Sequence, residues 1–196
     1  MDSKKLIFTI GRQNGSGGRE VGQALARRLG MKCYDQTVIT ETAKLAGLTE
    51  EQIYEDEERE KKGTLMFYGM PVANPIHQFQ FDAIRKIASE NENGVFVGRC
   101  ADYVLKGREN VVNIFIHASR EACIKRSAER NGISMSDAGK RVDTKNANRA
   151  QYYMRYTGEA WGSVFRYDLC IDTTKITIEQ AVDLIVEYCR MVGYDL

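Results

Sequence analysis

The sequence predicts a three-layer, doubly wound α/β fold built around a five-stranded parallel sheet. Short apolar runs such as LIFTI and VVNIFI are typical of strands that are buried on both faces. Segments with apolar residues three or four positions apart lie between the strands and predict amphipathic helices. Strands and helices that alternate along a whole chain indicate a parallel sheet covered by helices on both sides.

The first half of the chain begins with two strand-helix units. The five predicted strands of the chain span residues 6–10, 31–34, 95–97, 111–117 and 167–171. After the first strand, Val21, Leu25 and Leu29 form the apolar face of a helix, and Gly30 ends that helix. Another helix is expected over residues 37–46, after the second strand.

The middle of the chain is expected to be an acidic helix followed by an irregular segment. Thr49 and Gln52 form a capping box that opens residues 49–62, which we interpret as a solvated helix because the segment is rich in acidic residues. The segment after it carries both prolines and is expected to be a loop or a helix connection. Asn74 then caps a helix that starts at Pro75.

The second half repeats the alternation of strand and helix. Ser119 is expected to cap the helix after the fourth strand, and Thr177 with Gln180 forms a second capping box. The apolar face of the last helix consists of Ala181, Leu184, Ile185, Tyr188 and Val192. No internal repeat interrupts this order, so residues 1–196 are predicted to form a single domain.

Composition and charge exclude several functional classes. Hydrophobic residues make up 43% of the 196 residues and charged residues 28%, which is typical of a globular protein. The longest apolar runs are far shorter than the roughly 20 residues that span a bilayer, and the first residues do not resemble a signal peptide. We therefore expect a cytoplasmic protein without a membrane partner. A net charge of +1 does not favour nucleic acid as a partner.

The five cysteines do not predict a metal site or a disulfide framework. Their number is odd, they are widely separated, and no two of them form a C-x-x-C pair. We expect free, buried thiols in a reducing compartment.

The segment GRQNGSGGREVG, residues 11–22, lies between the first strand and the first helix. Backbone N–H groups of such a turn can surround an anion, and the helix dipole adds positive potential. Glycines permit the positive φ angles that this arrangement needs. The alternative is a glycine-rich turn without function. The residues that we expect to bind nucleotide phosphates are Asn14, Gly15, Ser16, Gly17, Gly18, Arg19 and Glu20.

This loop departs from the pattern G-x-x-x-x-G-K-[ST]. Aligning Gly18 and Arg19 with the Gly-Lys pair places Gln13 at the first glycine and Glu20 at the Ser/Thr position. Arg19 then replaces the lysine as a fixed charge for phosphate oxygens. Because Glu20 has no hydroxyl group, Ser16 or a neighbouring group is the candidate ligand for a magnesium ion.

A basic segment follows in the second half of the chain. Residues 120–166 contain ten Lys or Arg and five Asp or Glu, a net charge of +5. Arg141, Lys145 and Arg149 are four residues apart and form one stripe on a helix. Such a stripe either closes over bound phosphates as a lid or is a solvated face.

Three residues near strand ends are candidates for substrate binding. Asp35 follows the second strand, at the carboxyl edge where open α/β sheets bind ligands, and it either binds a sugar or base or caps the next helix. Arg99 follows the third strand and either binds a monophosphate or forms a structural salt bridge. Asp102 is the candidate to orient Arg99. We expect Trp161 and the nearby tyrosines to pack in the core rather than to stack on a base.

Five segments, in this order, resemble the cytidylate kinase-like family within the nucleoside monophosphate kinases. They are NGSGGRE with CYDQTVI, VFVGRCADYVL, VVNIFIHASREACIKRSAER, RVDTKNANRAQYY and YDLCIDTTKITIEQAV. The resemblance covers nearly the whole chain except roughly residues 48–75. It implies a sheet of the P-loop kinase type with a helical lid, an acceptor-binding region over residues 48–93 and a lid over residues 131–157.

The resemblance also implies an activity and roles for individual residues. The activity is transfer of the γ-phosphoryl group of ATP, with Mg²⁺, to a nucleoside monophosphate such as CMP. Arg19, Arg141 and Arg149 are the expected catalytic residues, and Asp35, Arg99 and Asp102 the expected substrate ligands. The expected lid residues are Arg126, Arg130, Arg141, Lys145 and Arg149.

Two other interpretations stay open at this point. The first is a nucleotide-binding regulatory or interaction protein without turnover, which the missing loop lysine favours. The second is a kinase for another small phosphorylated acceptor, because the fold does not determine the acceptor. The sequence carries no prediction of oligomeric state.

Overall fold

The central strand β1 (Ile7–Arg12) organises the sheet in this computed structural model. The structure describes residues 5–53, 66–67, 70–71, 75–91, 93–194 and 196. Parallel neighbours flank β1 on both sides, so its backbone groups are paired within the sheet. Four of its six residues are buried, as the apolar run predicts.

The predicted five-stranded parallel sheet is confirmed. Its strands after β1 are β2 (Cys33–Tyr34), β5 (Gly94–Val97), β6 (Val111–His117) and β7 (Leu169–Asp172). The spatial order is β2-β5-β1-β6-β7, and each neighbouring pair is parallel. The chain therefore runs to one side of β1 first and to the other side later, and the loop after β1 lies where this direction changes.

A small hairpin lies outside this sheet, in the segment for which we expected a loop or a helix connection. β3 (Met66–Phe67) pairs with β4 (Met70–Pro71) in antiparallel orientation. A pairing of two residues each carries almost no periodic signal, so the sequence pattern does not reveal it. The predicted helix beyond residue 53 and the predicted cap at Asn74 lie outside the described residues.

Residues 50–53 form the first turn of the helix expected there, and seven further helices are described around the central sheet. They are α1 (Gly18–Arg28), α2 (Gln36–Ala46), α3 (Pro75–Glu90), α4 (Ala101–Val104), α5 (Arg120–Asn131), α6 (Met135–Thr157) and α7 (Ile178–Met191). The predicted caps are confirmed, since Ser119 accepts a hydrogen bond from the amide of Ala122 and Thr177 forms its capping box with Gln180. Within the described residues, every helix is too short or too polar to cross a bilayer.

The helices cover the sheet on two faces. On one face Phe8 and Ile10 of β1 pack with Leu25 of α1 and Ile185 of α7. On the other face Ile7 packs with Ile84 of α3. Neighbouring residues of β1 therefore point to opposite layers, which is the three-layer arrangement that the sequence predicts. The carboxyl ends of β1, β2 and β5 then lie along one open edge.

The last strand begins two residues later than predicted. A 3₁₀ turn (Val164–Arg166) precedes it, and β7 starts at Leu169. Tyr167 packs its ring against Phe115 with centroids 5.0 Å apart instead of joining the ladder. Aromatic packing at the sheet edge therefore keeps Tyr167 out of the strand, although its β propensity favours the strand.

Candidate phosphoryl-transfer site

The glycine loop between β1 and α1 has the geometry of an anion-binding turn. Gly15 and Gly17 have φ angles of +82° and +81°, and α1 begins directly after Gly17. A Cβ atom on Gly15 would lie 2.4 Å from the backbone carbonyl oxygen of Cys123, so no larger residue fits without a shift of the loop. The first N–H groups of α1 lack intrahelical partners and face this turn.

Contacts from three directions hold the loop. The amide of Gln13 donates to the carbonyl oxygen of Ile116 at 3.0 Å. The hydroxyl of Thr173 donates to the carbonyl oxygen of Ser16 at 2.7 Å. Arg126 donates to the hydroxyl oxygen of Thr173 at 3.2 Å and reaches the carbonyl oxygen of Ser16 at 3.5 Å. Arg126, which we expected in the lid, therefore supports the loop from α5.

Arg130, another expected lid residue, also projects from α5. Its guanidinium forms an ion pair with Glu20 in the first turn of α1. Glu20 was expected among the phosphate-binding residues, and the first turn of α1 is where the structure places it. The ion pair joins α1 to α5 beside the loop.

Helix α6, where the lid was expected, contacts the loop through hydrogen bonds. The side-chain oxygen of Asn146 accepts a hydrogen bond from the amide of Asn14 at 2.7 Å. Arg149 donates to the carbonyl oxygen of Arg12 at 2.9 Å. Lys145 lines the cavity beside the loop, whereas Arg141, two turns from Arg149 in the same stripe, is exposed.

Positive charge is concentrated at this edge of the sheet. The Arg12 guanidinium lies near those of Arg149, Arg99 and Arg19, and Asp35 is the nearby carboxylate. Burial, followed by repulsion from Arg149, lowers the pKa of Arg12. Burial also lowers the pKa of Arg149. Guanidinium groups stay protonated near neutral pH, so the site carries a surplus of positive charge that an anion would balance.

Asp35 pairs with Arg19. The Arg19 Nε atom lies 2.6 Å from the Asp35 Oδ2 atom, and the Arg19 side chain is 58% exposed. Asp35 precedes α2, but its side chain makes no capping hydrogen bond. Of the two roles that the sequence left open for Asp35, the helix cap is therefore absent.

A cavity of about 280 Å³ opens next to the loop. Its polar lining comes from strand ends, from α4 and from α6, and includes Arg12, Asp35, Arg99, Asp102, Lys145 and Arg149. Arg99 and Cys100 have φ angles of +56° and +57°, which is uncommon for two consecutive residues other than glycine. Strain of this kind concentrates at functional sites, and here it shapes the turn that brings Arg99 to the cavity.

The far wall of the cavity is aromatic and contains Asp102. This carboxyl is 6% exposed and accepts a hydrogen bond from the hydroxyl of Tyr153 at 2.6 Å. Burial raises the pKa of Asp102. Asp102 is thus anchored to α6 through Tyr153, and its expected role of orienting Arg99 stays a prediction. The aromatic residues of this wall pack against their neighbours and also line the cavity; they are Tyr152, Trp161 and Tyr167. The expected core packing is therefore compatible with contact to a ligand.

Ser16 does not fit the role of magnesium ligand in this arrangement. Its side chain is fully buried, and its hydroxyl donates to the carbonyl oxygen of Gln13 at 2.9 Å. The described residues contain no cluster of three His, Cys, Asp or Glu side chains arranged for a metal ion. Magnesium usually binds nucleotide phosphates and water with few protein ligands, so a kinase can receive it as part of the nucleotide substrate.

The site brings together most, but not all, of the residues that the sequence suggested. Asp35, Arg99, Asp102, Lys145 and Arg149 line one cavity, and the ion pair of Arg19 with Asp35 joins the loop from Asn14 to Glu20 to this group. Arg12, Gln80 and Asn146 were missed. The sequence did contain a signal for Arg12, because this residue ends the first strand within the glycine-rich segment. The direction of its side chain, however, depends on neighbours that are distant in sequence.

A strand, a glycine loop and a helix at the switch point of a parallel sheet form the arrangement that P-loop kinases have. The cytidylate kinase-like family model matches residues 7–175, and the chain belongs to that family. A cytidylate kinase from Methanopyrus kandleri is 24% identical, covering 94% of this chain and 93% of its own. A cytidylate kinase from Thermoplasma volcanium is 23% identical, with coverage of 92% and 90%.

Solved structures agree with this assignment of the fold. An uncharacterized protein from Eubacterium ventriosum has a TM-score of 0.75 at 30% identity, covering 94% of this chain and 98% of that one. Shikimate kinase from Acinetobacter baumannii, solved with shikimate, has a TM-score of 0.58 at 14% identity, covering 98% and 97%. Family and fold together support a kinase of nucleotides or other small molecules.

Proposed function

We propose that this protein transfers the γ-phosphoryl group of ATP to a nucleoside monophosphate of the CMP type. The observation that carries the proposal is the junction of an anion-binding loop with a cationic cavity at one sheet edge. The loop suits the phosphates of a donor, and the cavity, with Arg99 and Lys145, suits an acceptor that is itself an anion.

The donor binds with its phosphates at the loop from Asn14 to Glu20. Amides of the loop and the start of α1 face the β-phosphate, and Mg²⁺ enters as part of the nucleotide. To receive the donor, the amide of Asn14 exchanges its bond to Asn146 for one to a phosphate oxygen. Arg19 lies in the first turn of α1 and can move from Asp35 toward the donor.

The acceptor binds in the cavity with its phosphate near Arg99. A phosphate oxygen of the acceptor forms a bond to the γ-phosphorus while the bond to the β,γ-bridging oxygen breaks. ADP and the nucleoside diphosphate are the products, and the electron pair of the broken bond stays on ADP. This reaction requires alignment and fixed positive charge more than covalent help from the protein.

The stripe on α6 completes the site. Arg149 is already fixed on the carbonyl oxygen of Arg12, at the boundary between loop and cavity. Arg141 lies eight residues away, about 12 Å along the helix axis, and meets the donor phosphates when α6 closes. Fixed charges act best where negative charge develops in the transition state, in a site that water has left.

The test is an assay of ADP formation with MgATP and a panel of CMP, UMP, dCMP, AMP and GMP, followed by identification of the diphosphate product. We expect turnover with CMP or a close analogue. Turnover with only a different phosphorylated acceptor would favour a kinase for another small substrate. ATP binding without turnover of any acceptor would favour the regulatory protein.

A matched pair of variants tests the acceptor side. Arg99→Gln removes a charge from the cavity and should raise the KM for the acceptor about tenfold or more, because a bidentate contact to phosphate is lost. Arg108→Gln removes an exposed arginine that bonds to Asn110 outside the cavity, and it should leave this KM unchanged. Equal values for both variants would show that Arg99 does not bind the acceptor.

A further inference from the structure

Arg12 has an unusual path from the last position of β1. A Cβ atom on Gly18 would lie 2.4 Å from the Arg12 Cβ atom, and a Cβ atom on Gly98 would lie 1.7 Å from Nη1. Only the two glycines leave room for this side chain. They let it pass the start of α1 and place its guanidinium at the carboxyl end of β5. The guanidinium therefore lies between the loop and the cavity.

At the start of α1, a glycine occupies the position at which the phosphate-loop pattern has its lysine. In the phosphate-loop pattern the lysine follows the second glycine, where the helix begins. Gly17 is the left-handed residue directly before α1, so the structure places Gly18 at the lysine position and Arg12 at that of the first glycine. This register differs by one residue from the alignment that assigns the lysine position to Arg19. The Arg12 side chain packs against Gly18 and supplies a cation at that point.

The carboxylate near Arg12, that of Asp35, is shared with Arg19, with which it forms an ion pair. Within the described residues, the Arg12 guanidinium makes no hydrogen bond or ion pair with a side chain. Its charged neighbours Arg149, Arg99 and Arg19 are positive, and the carboxylate of Asp35 is bound to Arg19. Arg149 donates to the backbone carbonyl oxygen of Arg12, and this bond does not involve the Arg12 guanidinium. A partly buried cation that faces a cavity under these conditions suits an anionic ligand.

We propose that Arg12 binds the γ-phosphoryl group of the donor during transfer and takes the role of the loop lysine. The proposal rests on the proposed function, because it uses the donor and acceptor positions given above. The planar guanidinium can donate to two oxygens of one phosphoryl group, and its place between loop and cavity matches the point where the group passes from donor to acceptor. Arg12 is then a catalytic residue of this chain.

The discriminating measurement is the affinity for ATP compared with that for ADP, both with Mg²⁺, by calorimetry. Arg12→Gln removes the charge that faces the γ-phosphate. We expect it to weaken ATP binding about ten- to a hundredfold, the loss typical of a hydrogen bond to a charged group, with ADP binding nearly unchanged. Arg28→Gln, which removes an exposed arginine paired with Asp183, should change neither affinity.

A second variant protects the test against a folding defect. Arg12→Lys keeps the charge without the fork, so it should retain a preference for ATP over ADP that Arg12→Gln lacks. Thermal unfolding of each variant is measured alongside binding. Equal loss of ATP and ADP affinity in Arg12→Gln, or loss of the ATP preference in a folded Arg12→Lys, overturns the proposal.

Arg19 provides the rival outcome. If Arg19→Gln removes the ATP preference and Arg12→Gln does not, the lysine role belongs to Arg19 and the proposal for Arg12 is wrong. These binding measurements need no acceptor, so they remain decisive if the acceptor assay finds no turnover. In that case the proposed function fails, while a selective loss of ATP affinity in Arg12→Gln still supports Arg12 as the ligand of the γ-phosphate.

Discussion

The glycine loop and the middle of α6 face each other across the site, but the fold holds them in different ways. The carbonyl oxygen of Ser16 and the amide of Gln13 are bonded to residues of the sheet edge, and Ser16 is fully buried. The buried residues of α6 lie toward its two ends, at Ala138, Gly139, Val142 and Tyr153. Between Val142 and Tyr153, the side chains of Asn146 and Arg149 form hydrogen bonds with the backbone of Asn14 and Arg12.

We infer from this difference that the two regions would play different parts in the proposed phosphoryl transfer. Moving the loop would break buried hydrogen bonds, so it is a fixed cradle. The middle of α6 is held by hydrogen bonds of partly buried side chains, which water can replace, so it suits a cover that opens and closes. The predictions below test this contrast, beginning with the largest expected effect.

A change in the fixed cradle should have the largest effect. Gly15→Ala introduces a Cβ atom 2.4 Å from a backbone carbonyl oxygen, at a positive φ angle that alanine disfavours. Because the loop must shift, we expect ATP affinity to fall about a hundredfold or more, roughly 3 kcal/mol, by calorimetry. Gly30→Ala is the control, since it has a φ of +64° with open space around it. Similar ATP affinity in both variants would contradict a preformed cradle.

Changes in the cover should lower the rate more than the stability. Arg149→Ala removes the bond to the Arg12 carbonyl oxygen, and Arg141→Ala removes an exposed charge. We expect each to keep a melting temperature near that of the parent and to lower kcat at least about tenfold, as for other lost transition-state charges. In both variants Arg155 and Lys145 still line the cavity. If both variants keep the kcat of the parent, the basic stripe on α6 is only a solvated face of the helix.

A smaller effect is expected where cover and cradle meet. Asn146→Ala removes the acceptor that the amide of Asn14 uses. In the parent, a donor phosphate must displace the Asn146 side chain before it can bond to this amide. ATP affinity should rise about two- to tenfold, the range of one ordinary hydrogen bond. Thr144→Ala, at an exposed position two residues earlier on α6, serves as the control. A lower ATP affinity in Asn146→Ala would mean that Asn146 assists the bound nucleotide.

The smallest expected effect is at the buried anchor of α6, Asp102 with Tyr153. Burial raises the pKa of Asp102. Between the ordinary pKa of aspartate and the raised one, the folded protein holds a proton that the unfolded chain releases, so this group loses stabilising effect as the pH rises through that window. Asp102→Asn cannot titrate, and its amide oxygen still accepts from Tyr153. Its melting temperature relative to the parent should rise between pH 4 and pH 7, whereas a constant difference would exclude this titration.

Local signals were sufficient for the elements that position the site. The apolar run of β1, the glycines after it and the periodic face of α1 are adjacent in sequence, so one segment predicts strand, turn and helix together. The contacts of Arg126 with Ser16 and Thr173 join residues 110 and 47 positions apart. A count of charges along the sequence places Arg126 with the lid, because such a count carries no information about contacts between distant segments.

The sequence by itself determined the order of the strands along the chain, the place of the glycine loop and the basic character of α6. Each of these follows from neighbouring residues, through backbone freedom, apolar periodicity or charge. Only the tertiary structure decided that Arg19 pairs with Asp35 and that Gly18 and Gly98 leave space for Arg12. The reason is physical: a side chain of several rotatable bonds takes its direction from packing and from charges of other segments, and these meet only when the sheet has formed.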